Sequence, residues 1–457
     1  MKDVLVLSFY FPPFAGIEVV RAVKWVKYLP EHGWRPIVLS TATTGEVDPR
    51  MASDLRGVEI LRTSKPELQG PQVVSGAAVA NGGDRGRSGN VVGTGGTSGR
   101  QRVLPVWLKR ALQSTVFFPD RYRAWIKEGR GMVPRLRQEF PEIRAVVATG
   151  YPWSAYLLAE KIARELNVPF LCDLRDAWTL NPSRVWNTWR HRRREARAFR
   201  AADGVIFATE SMREEYLTLY PELITKSYVI RNGYDPEDRE EAQILRQVLA
   251  AEQGRDKLRV VYTGTFNGLE VPPADNRQSP YYFLQALRLV KERVPDLASR
   301  LEVMMAGKVP FATLVRELGL EDVVRLPGHL PVEETLALQA SADLLLLFVA
   351  PDNRHVLTGK VYEYIAAGVP ILAMIPLETE LHRLLRAYGN ARVTEPRDVE
   401  RIADHLVWML EEHRAGGRVG SEMAEESYVA SLSRREQAGE LALLLEGVSA
   451  GHETARV

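Results

Sequence analysis

The chain has 457 residues, 45% hydrophobic and 26% charged, the make-up of a soluble globular protein large enough for two cores. A formal net charge of +2 gives no reason to expect a nucleic-acid partner, and the single cysteine, Cys172, excludes an intramolecular disulfide and a thiolate metal cluster. The longest apolar run, Leu344 to Ala350, falls far short of a membrane span, and the start of the chain lacks the basic region and long apolar core of a signal peptide, so a cytoplasmic location is expected.

Short β-branched apolar runs alternate with segments of helical period, which predicts parallel sheets covered by helices. In the first half strands are expected at 3–8, 35–40, 58–62, 144–149, 169–173, 204–209 and 228–231, with helices at 18–31, 153–167, 186–201 and 211–220. Residues 70–102 are rich in Gly, Ser, Asn and Arg with almost no large apolar side chains, the composition of a disordered insertion. Asn232-Gly233-Tyr234-Asp235-Pro236 has the turn chemistry of a break between domains. A second alternating series follows, with strands expected at 258–263, 301–306, 323–326, 343–348, 370–374 and 391–393. Ser433 and Glu436 fit a capping box that opens a last helix with an apolar face of Leu441, Leu444 and Leu445. The expected fold class is α/β: two Rossmann-like domains, 1–231 and 237–425, joined by a hinge at 232–236.

Open parallel sheets bind ligands at the carboxyl ends of their strands, so the residues just after each strand carry the functional signal. Gly16 precedes the first helix, where backbone amides can approach an anion or a sugar hydroxyl; a tight strand-to-helix turn is the plainer explanation. Arg175 and Asp176, in Asp173-Leu-Arg-Asp-Ala-Trp, put charge at a strand end that faces either a cleft or an internal ion pair. The helix that follows carries Arg184, Arg190, His191, Arg192, Arg193, Arg194, Arg197 and Arg200, a run suited to an anionic surface or a diphosphate-linked acceptor. Residues 105–118 mix aromatic, aliphatic and basic side chains, which suits either a membrane interface or packing on the domain's own sheet.

In the second half Gly264 and Thr265 end a strand with small, amide-exposing residues, and Lys308 ends the next with a cation for a diphosphate. The most informative stretch is Thr358-Gly-Lys-Val-Tyr-Glu-Tyr-Ile-Ala-Ala-Gly368. It places Lys360 and Glu363 on one face of a helix that Gly368 ends. The lysine can meet a phosphate while the carboxylate accepts two ribose hydroxyl protons; a surface ion pair is the alternative.

Phe11-Pro12-Pro13 with Gly16, then Arg21, Lys24 and Tyr28-Leu29, resembles the start of family 4 glycosyltransferases. The Asp173–Trp178 stretch, Val229-Ile-Arg-Asn-Gly-Tyr-Asp, Tyr262-Thr-Gly-Thr and the Gly359–Gly368 stretch resemble the same family, in its order. The resemblance implies a GT-B fold with an acceptor-binding first domain, a second domain that binds a nucleotide-diphospho-sugar, and a C-terminal helix at 426–448 that crosses back to the first. It implies a retaining hexosyltransferase that needs no metal and no cofactor beyond the donor co-substrate. Lys360 and Glu363 would be the catalytic pair. The donor set would be Gly264, Thr265, Lys308, His329, His355, Thr358, Lys360 and Glu363, facing Gly16, Arg175 and Asp176 on the acceptor side. The sequence departs from the family where many members carry a second glutamate: eight positions before Glu363 stands His355. The implied partners are a nucleotide-sugar, a saccharide or lipid-linked acceptor and, peripherally, an anionic membrane surface. A sugar-nucleotide epimerase of related fold and a non-catalytic sugar-nucleotide binder are the alternatives.

Overall fold

Runs such as Val4-Leu5-Val6-Leu7 and Leu344-Leu-Leu-Leu-Phe348 are buried along their length, as strands covered on both faces must be. The computed structural model describes residues 1–457 other than 15, 44, 46, 65–117, 182–187, 252–256, 267–277, 418–424 and 455–457. The expected insertion at 70–102, all of 105–118 but Phe118, and Arg184 therefore lie outside the described residues. The chain divides into two compact units: unit 1 is Met1–Ala208, Met212–Ile230 and Ala438–Val457, and unit 2 is Thr209–Ser211 and Arg231–Gln437. Residues 426–437, expected with the returning helix, group with unit 2.

Unit 1 is built on a seven-stranded parallel sheet of β1 (Lys2–Leu7), β2 (Trp34–Thr41), β3 (Glu59–Thr63), β4 (Ile143–Gly150), β5 (Phe170–Leu174), β6 (Gly204–Phe207) and β7 (Ser227–Val229). Their spatial order, β3-β2-β1-β4-β5-β6-β7, reverses direction between β1 and β4. Alternate side chains feed opposite layers. Leu5, Leu7, Val146 and Ala148 enter one core cluster, whereas Val4, Val6, Ala145 and Val147 enter the other. The helices that position the rim of this sheet are α1 (Ile17–Tyr28), α2 (Ala124–Gly131), α3 (Ser154–Leu166) and α4 (Trp189–Ala201). The sequence pattern did not anticipate α2, because its Lys, Glu and Arg residues and two glycines leave a weak apolar period.

Unit 2 repeats the plan with β8 (Leu258–Thr263), β9 (Leu301–Ala306), β10 (Val324–Gly328), β11 (Leu344–Phe348), β12 (Ile371–Met374) and β13 (Ala391–Thr394). The order β10-β9-β8-β11-β12-β13 is again parallel and reverses between β8 and β11. Its helices include α5 (Pro236–Ala251), α6 (Gly359–Ala367) and α7 (Glu380–Tyr388). Pro236, expected as the end of the hinge turn, opens α5, where proline's fixed φ suits a first helical turn. The last helix, α8 (Arg434–Thr454), starts where Ser433 Oγ accepts the Glu436 amide at 3.3 Å. Within unit 1 its residues Ala438, Leu441, Ala442, Leu444 and Leu445 fill the core cluster that also holds Val4, Val6 and Val19.

Candidate active site

In unit 2 three loops meet at the carboxyl ends of β8, β9 and β10. The Gly264 amide donates to Ala306 O at 2.9 Å, the Phe266 amide to Lys308 O at 2.9 Å, and the Gly307 amide to Gly328 O at 2.6 Å. Gly264 has φ 150° and Gly307 φ 108°, and a Cβ at Gly307 would collide with the backbone of Gly264. Only glycine permits that approach. The floor of the β8 loop is fixed from behind: the Thr263 amide donates to Tyr364 Oη at 3.4 Å, and Gln339 Nε2 donates to Thr263 Oγ1 at 2.8 Å.

Lys360 enters from the first turn of α6, across the switch point from these loops. Thr358 caps that helix, its Oγ1 accepting the Lys360 amide at 3.3 Å, and Gly368 ends it at φ 65°. The Lys360 ammonium lies 4.7 Å from the centre of the Tyr262 ring, and a Cβ on Gly264 would strike it. Among the described residues no carboxylate forms an ion pair with Lys360. Burial holds its pKa below the usual lysine value, an effect that Glu363 partly opposes. Glu363 itself, one turn further along α6, is exposed. A half-buried cation without an ion-pair partner raises the energy of the empty site and favours an arriving anion.

The remaining donor-side residues sit around this centre. Thr265 is half-buried beside Gly264, Lys308 is exposed directly after Gly307, and His329 is exposed directly after Gly328. Thus the loop contacts join the segments bearing Gly264, Thr265, Lys308 and His329, and Lys360 packs against Gly264. His355 lies exposed in the turns between β11 and α6.

In unit 1 the expected acceptor-side residues also come together. Gly16 precedes α1, and Arg175, from the loop after β5, donates to the Glu18 carbonyl in the first turn of that helix. Asp176 is exposed, with its carboxylate 3.9 Å from the Arg175 guanidinium. Asp173 has a separate duty: it is buried and held by Arg21, whose Nη2 donates to it at 2.8 Å and also to Ile230 O at 2.8 Å. The basic run on α4 needs one correction. Arg192, Arg193, Arg197 and Arg200 are exposed, but His191 is buried, accepts the Trp178 indole N–H at 3.2 Å, and has its pKa lowered to about 4 by burial and by Arg190. It belongs to the core, not to the charged face.

Residues 258–412, all in unit 2, match the family described as glycosyl transferases group 1, and residues 88–238 match Glycosyltransferase Family 4. Both matched families are glycosyltransferases, and together the two matches span about two thirds of the chain. Among curated proteins, sequence comparison finds no relative of this glycosyltransferase. Solved structures share its GT-B fold at low identity. Alr3699/HepE of Anabaena, solved with UDP and glucose, is 15% identical with a TM-score of 0.56, covering 98% of this chain and 100% of that one. Sucrose-phosphate synthase of Thermosynechococcus elongatus is 13% identical with a TM-score of 0.58, covering 99% and 100%. WaaG, a glycosyltransferase involved in lipopolysaccharide biosynthesis, is 16% identical with a TM-score of 0.51, covering 98% of each.

Sequence reasoning missed three contributors in this glycosyltransferase. Tyr262 was read as the start of the Tyr262-Thr-Gly-Thr stretch and given no role, yet its ring lies under the Lys360 ammonium; a strand's alternation does not say which residue a later helix will meet. Gly307 and Gly328 were not singled out, although each follows or ends a strand at the same sheet edge, a signal that position alone supplied.

Proposed function

We propose that this glycosyltransferase binds a nucleotide-diphospho-sugar in unit 2 and transfers the sugar, with retention of anomeric configuration, to a hydroxyl of a saccharide or lipid-linked acceptor bound by unit 1. The observation that carries the reading is Lys360: a half-buried lysine with no ion-pair partner among the described residues, packed against Gly264 at the switch point of the sheet. In this reading the diphosphate lies against the amides of the Gly264 and Gly307 loops and the start of α6, with Lys360 and Lys308 meeting its charge. Thr265 and Thr358 offer hydroxyls, Glu363 accepts the ribose diol, and His329 and His355 border the sugar. The same cations stabilise the leaving diphosphate without a metal. UDP in the Anabaena protein supports a nucleotide donor. Retention rests on the resemblance to family 4 and on the match at residues 88–238, and the proposed hexosyl donor on the same ground.

The exposed arginines of α4 suit peripheral contact with an anionic membrane at the cytoplasmic face, where a lipid-linked acceptor would lie. Among the described residues no helix is long and apolar enough to cross a membrane. Binding to anionic vesicles at low salt and release at high salt is the expected behaviour.

A thermal-shift panel of nucleotide-diphospho-sugars tests the donor, since a ligand that binds the folded state raises its melting temperature by mass action. One donor should stand out, and its product should form with EDTA present and keep the donor's anomeric configuration by NMR. No shift with any member of the panel would sink the donor reading; inverted product would sink retention, and loss of turnover in EDTA would sink metal independence.

A further inference from the structure

The loops at the β1/β4 switch point of unit 1 hold an aromatic cluster that the site described so far does not use. Tyr10 follows β1 and Tyr151 follows β4, with ring centres 6.5 Å apart. Phe14 lies 4.6 Å from Tyr10, and the hydroxyls of Tyr10 and Tyr122 are hydrogen-bonded at 2.7 Å. Tyr122 is buried, but Tyr10, Phe14 and Tyr151 keep part of their surface exposed. Partly exposed aromatic rings at the carboxyl edge of a parallel sheet suit the apolar face of a sugar ring.

Arg121 lies among these rings. Its guanidinium sits 5.1 Å from the centre of the Tyr122 ring, and its Nε is buried with no hydrogen-bond partner among the described residues. Burial raises the pKa of Tyr10 and of Tyr151, and the charge on Arg121 opposes both shifts, so one cation serves both rings. The carboxylate next to it in sequence is already committed: Asp120 accepts the Ser154 amide at 2.7 Å, the Ser154 hydroxyl at 2.6 Å and the Tyr122 amide at 2.9 Å. At the same carboxyl edge of the sheet Arg62 donates to the carbonyls of Thr41 and Pro12 and forms no ion pair among the described residues. An arginine buried at its Nε without a counter-charge is a costly arrangement unless a ligand completes it.

We propose that Arg121, on the Tyr122 ring that adjoins Tyr10 and Tyr151, receives an acidic group on the acceptor, so that the acceptor is a sugar bearing a phosphate or a carboxylate. The inference rests on the reading that unit 1 takes the acceptor. A planar guanidinium meets either oxyanion through paired hydrogen bonds, and the rings hold the sugar beside it.

The test uses the whole chain without donor, titrated by ligand-observed NMR with glucose 1-phosphate, glucuronate, glucose and inorganic phosphate. At least one charged sugar should bind roughly 10-fold or more tightly than glucose, the size of one charge-assisted contact. Phosphate and uronate acceptors are told apart by which charged sugar is preferred. Arg121→Gln should bring that sugar down to the level of glucose, while Arg121→Lys retains part of the preference. Lys360→Met should leave the preference intact, which separates this subsite from a phosphate site in unit 2. Equal binding of charged and neutral sugars, or a preference that survives Arg121→Gln, overturns the proposal. Inorganic phosphate binding as tightly as glucose 1-phosphate overturns the role of the rings. If Arg121→Gln does not fold, the wild-type preference and the Arg121→Lys titration still decide. Donor binding is read separately in the nucleotide-sugar panel, so failure there with the anion preference intact sinks the donor reading alone.

Discussion

Replacing Lys360 by Met should damage binding and spare the fold. The ammonium's contact with the Tyr262 ring is worth about 0.5–2 kcal/mol and is lost. Against this, the variant no longer pays for desolvating the cation, and no buried partner is stranded, because Glu363 is exposed and stays hydrated. Methionine fills similar volume and keeps sulfur–aromatic contact. The two terms offset to within about 1 kcal/mol, a change of at most about 4 °C in melting temperature for a unit of this size. Binding behaves differently. A hydrogen bond from a charged donor to phosphate contributes roughly 1.5–3 kcal/mol, so the Kd of the preferred nucleoside diphosphate should rise roughly 10- to 150-fold. Calorimetric titration gives the Kd, and a thermal melt of the empty protein gives the stability. A variant that binds the diphosphate as the wild type does would refute the phosphate role. One that melts many degrees lower would show that Lys360 is a structural residue.

Glu363→Gln should cut turnover at subsaturating donor roughly 30- to 1000-fold, a loss of about 2–4 kcal/mol, without moving the melting temperature; equal losses with a donor analogue lacking the ribose hydroxyls would refute the assignment. Gly307→Ala and Gly328→Ala form a matched pair, since both glycines have positive φ but only the first has backbone in the way of a Cβ. Gly328→Ala should cost about 1 kcal/mol by denaturant melt, and Gly307→Ala more than about 3 kcal/mol with donor binding lost as well; similar costs would mean that the Gly264–Gly307 approach is relaxed easily. His191 has a folded pKa of about 4 against an ordinary 6.5, so between those values the unfolded chain binds more protons and stability falls as pH drops. His191→Gln keeps an acceptor for the Trp178 indole and removes that titration, so the variant should gain on the wild type in melts from pH 6.5 to 4; a constant difference would show that the imidazole does not stay neutral.

The two parallel sheets were legible because burial on both faces writes continuous apolar runs, as at Val4–Leu7 and Leu344–Phe348. The α6 helix was legible because its ends are marked chemically, by Thr358 before it and Gly368 after it. What the sequence did not reveal depends on contacts between distant segments. Nothing near Asp173 announces that Arg21 will hold it, which makes it a buried anchor and leaves Arg175 and Asp176 at the rim. His191 sits in a run of arginines and reads as one more basic residue, yet the helical turn points it inward at Trp178. Arg121 and Tyr10 gave no signal, since an arginine and a tyrosine in loops have no period to betray them.

The core of unit 1 also sets an order on the molecule's synthesis. Val4, Val6 and Val19 leave the ribosome early, but the face they form is closed by Ala438, Leu441 and Leu445, and all of unit 2 is translated in between. Domains made first ordinarily finish folding first. Here the earlier unit must wait with part of an apolar face of its sheet uncovered until the later one has been made. A nascent chain is therefore most exposed to aggregation or to chaperone capture during translation of unit 2, and a premature stop immediately before Ala438 would leave unit 2 whole but harm unit 1.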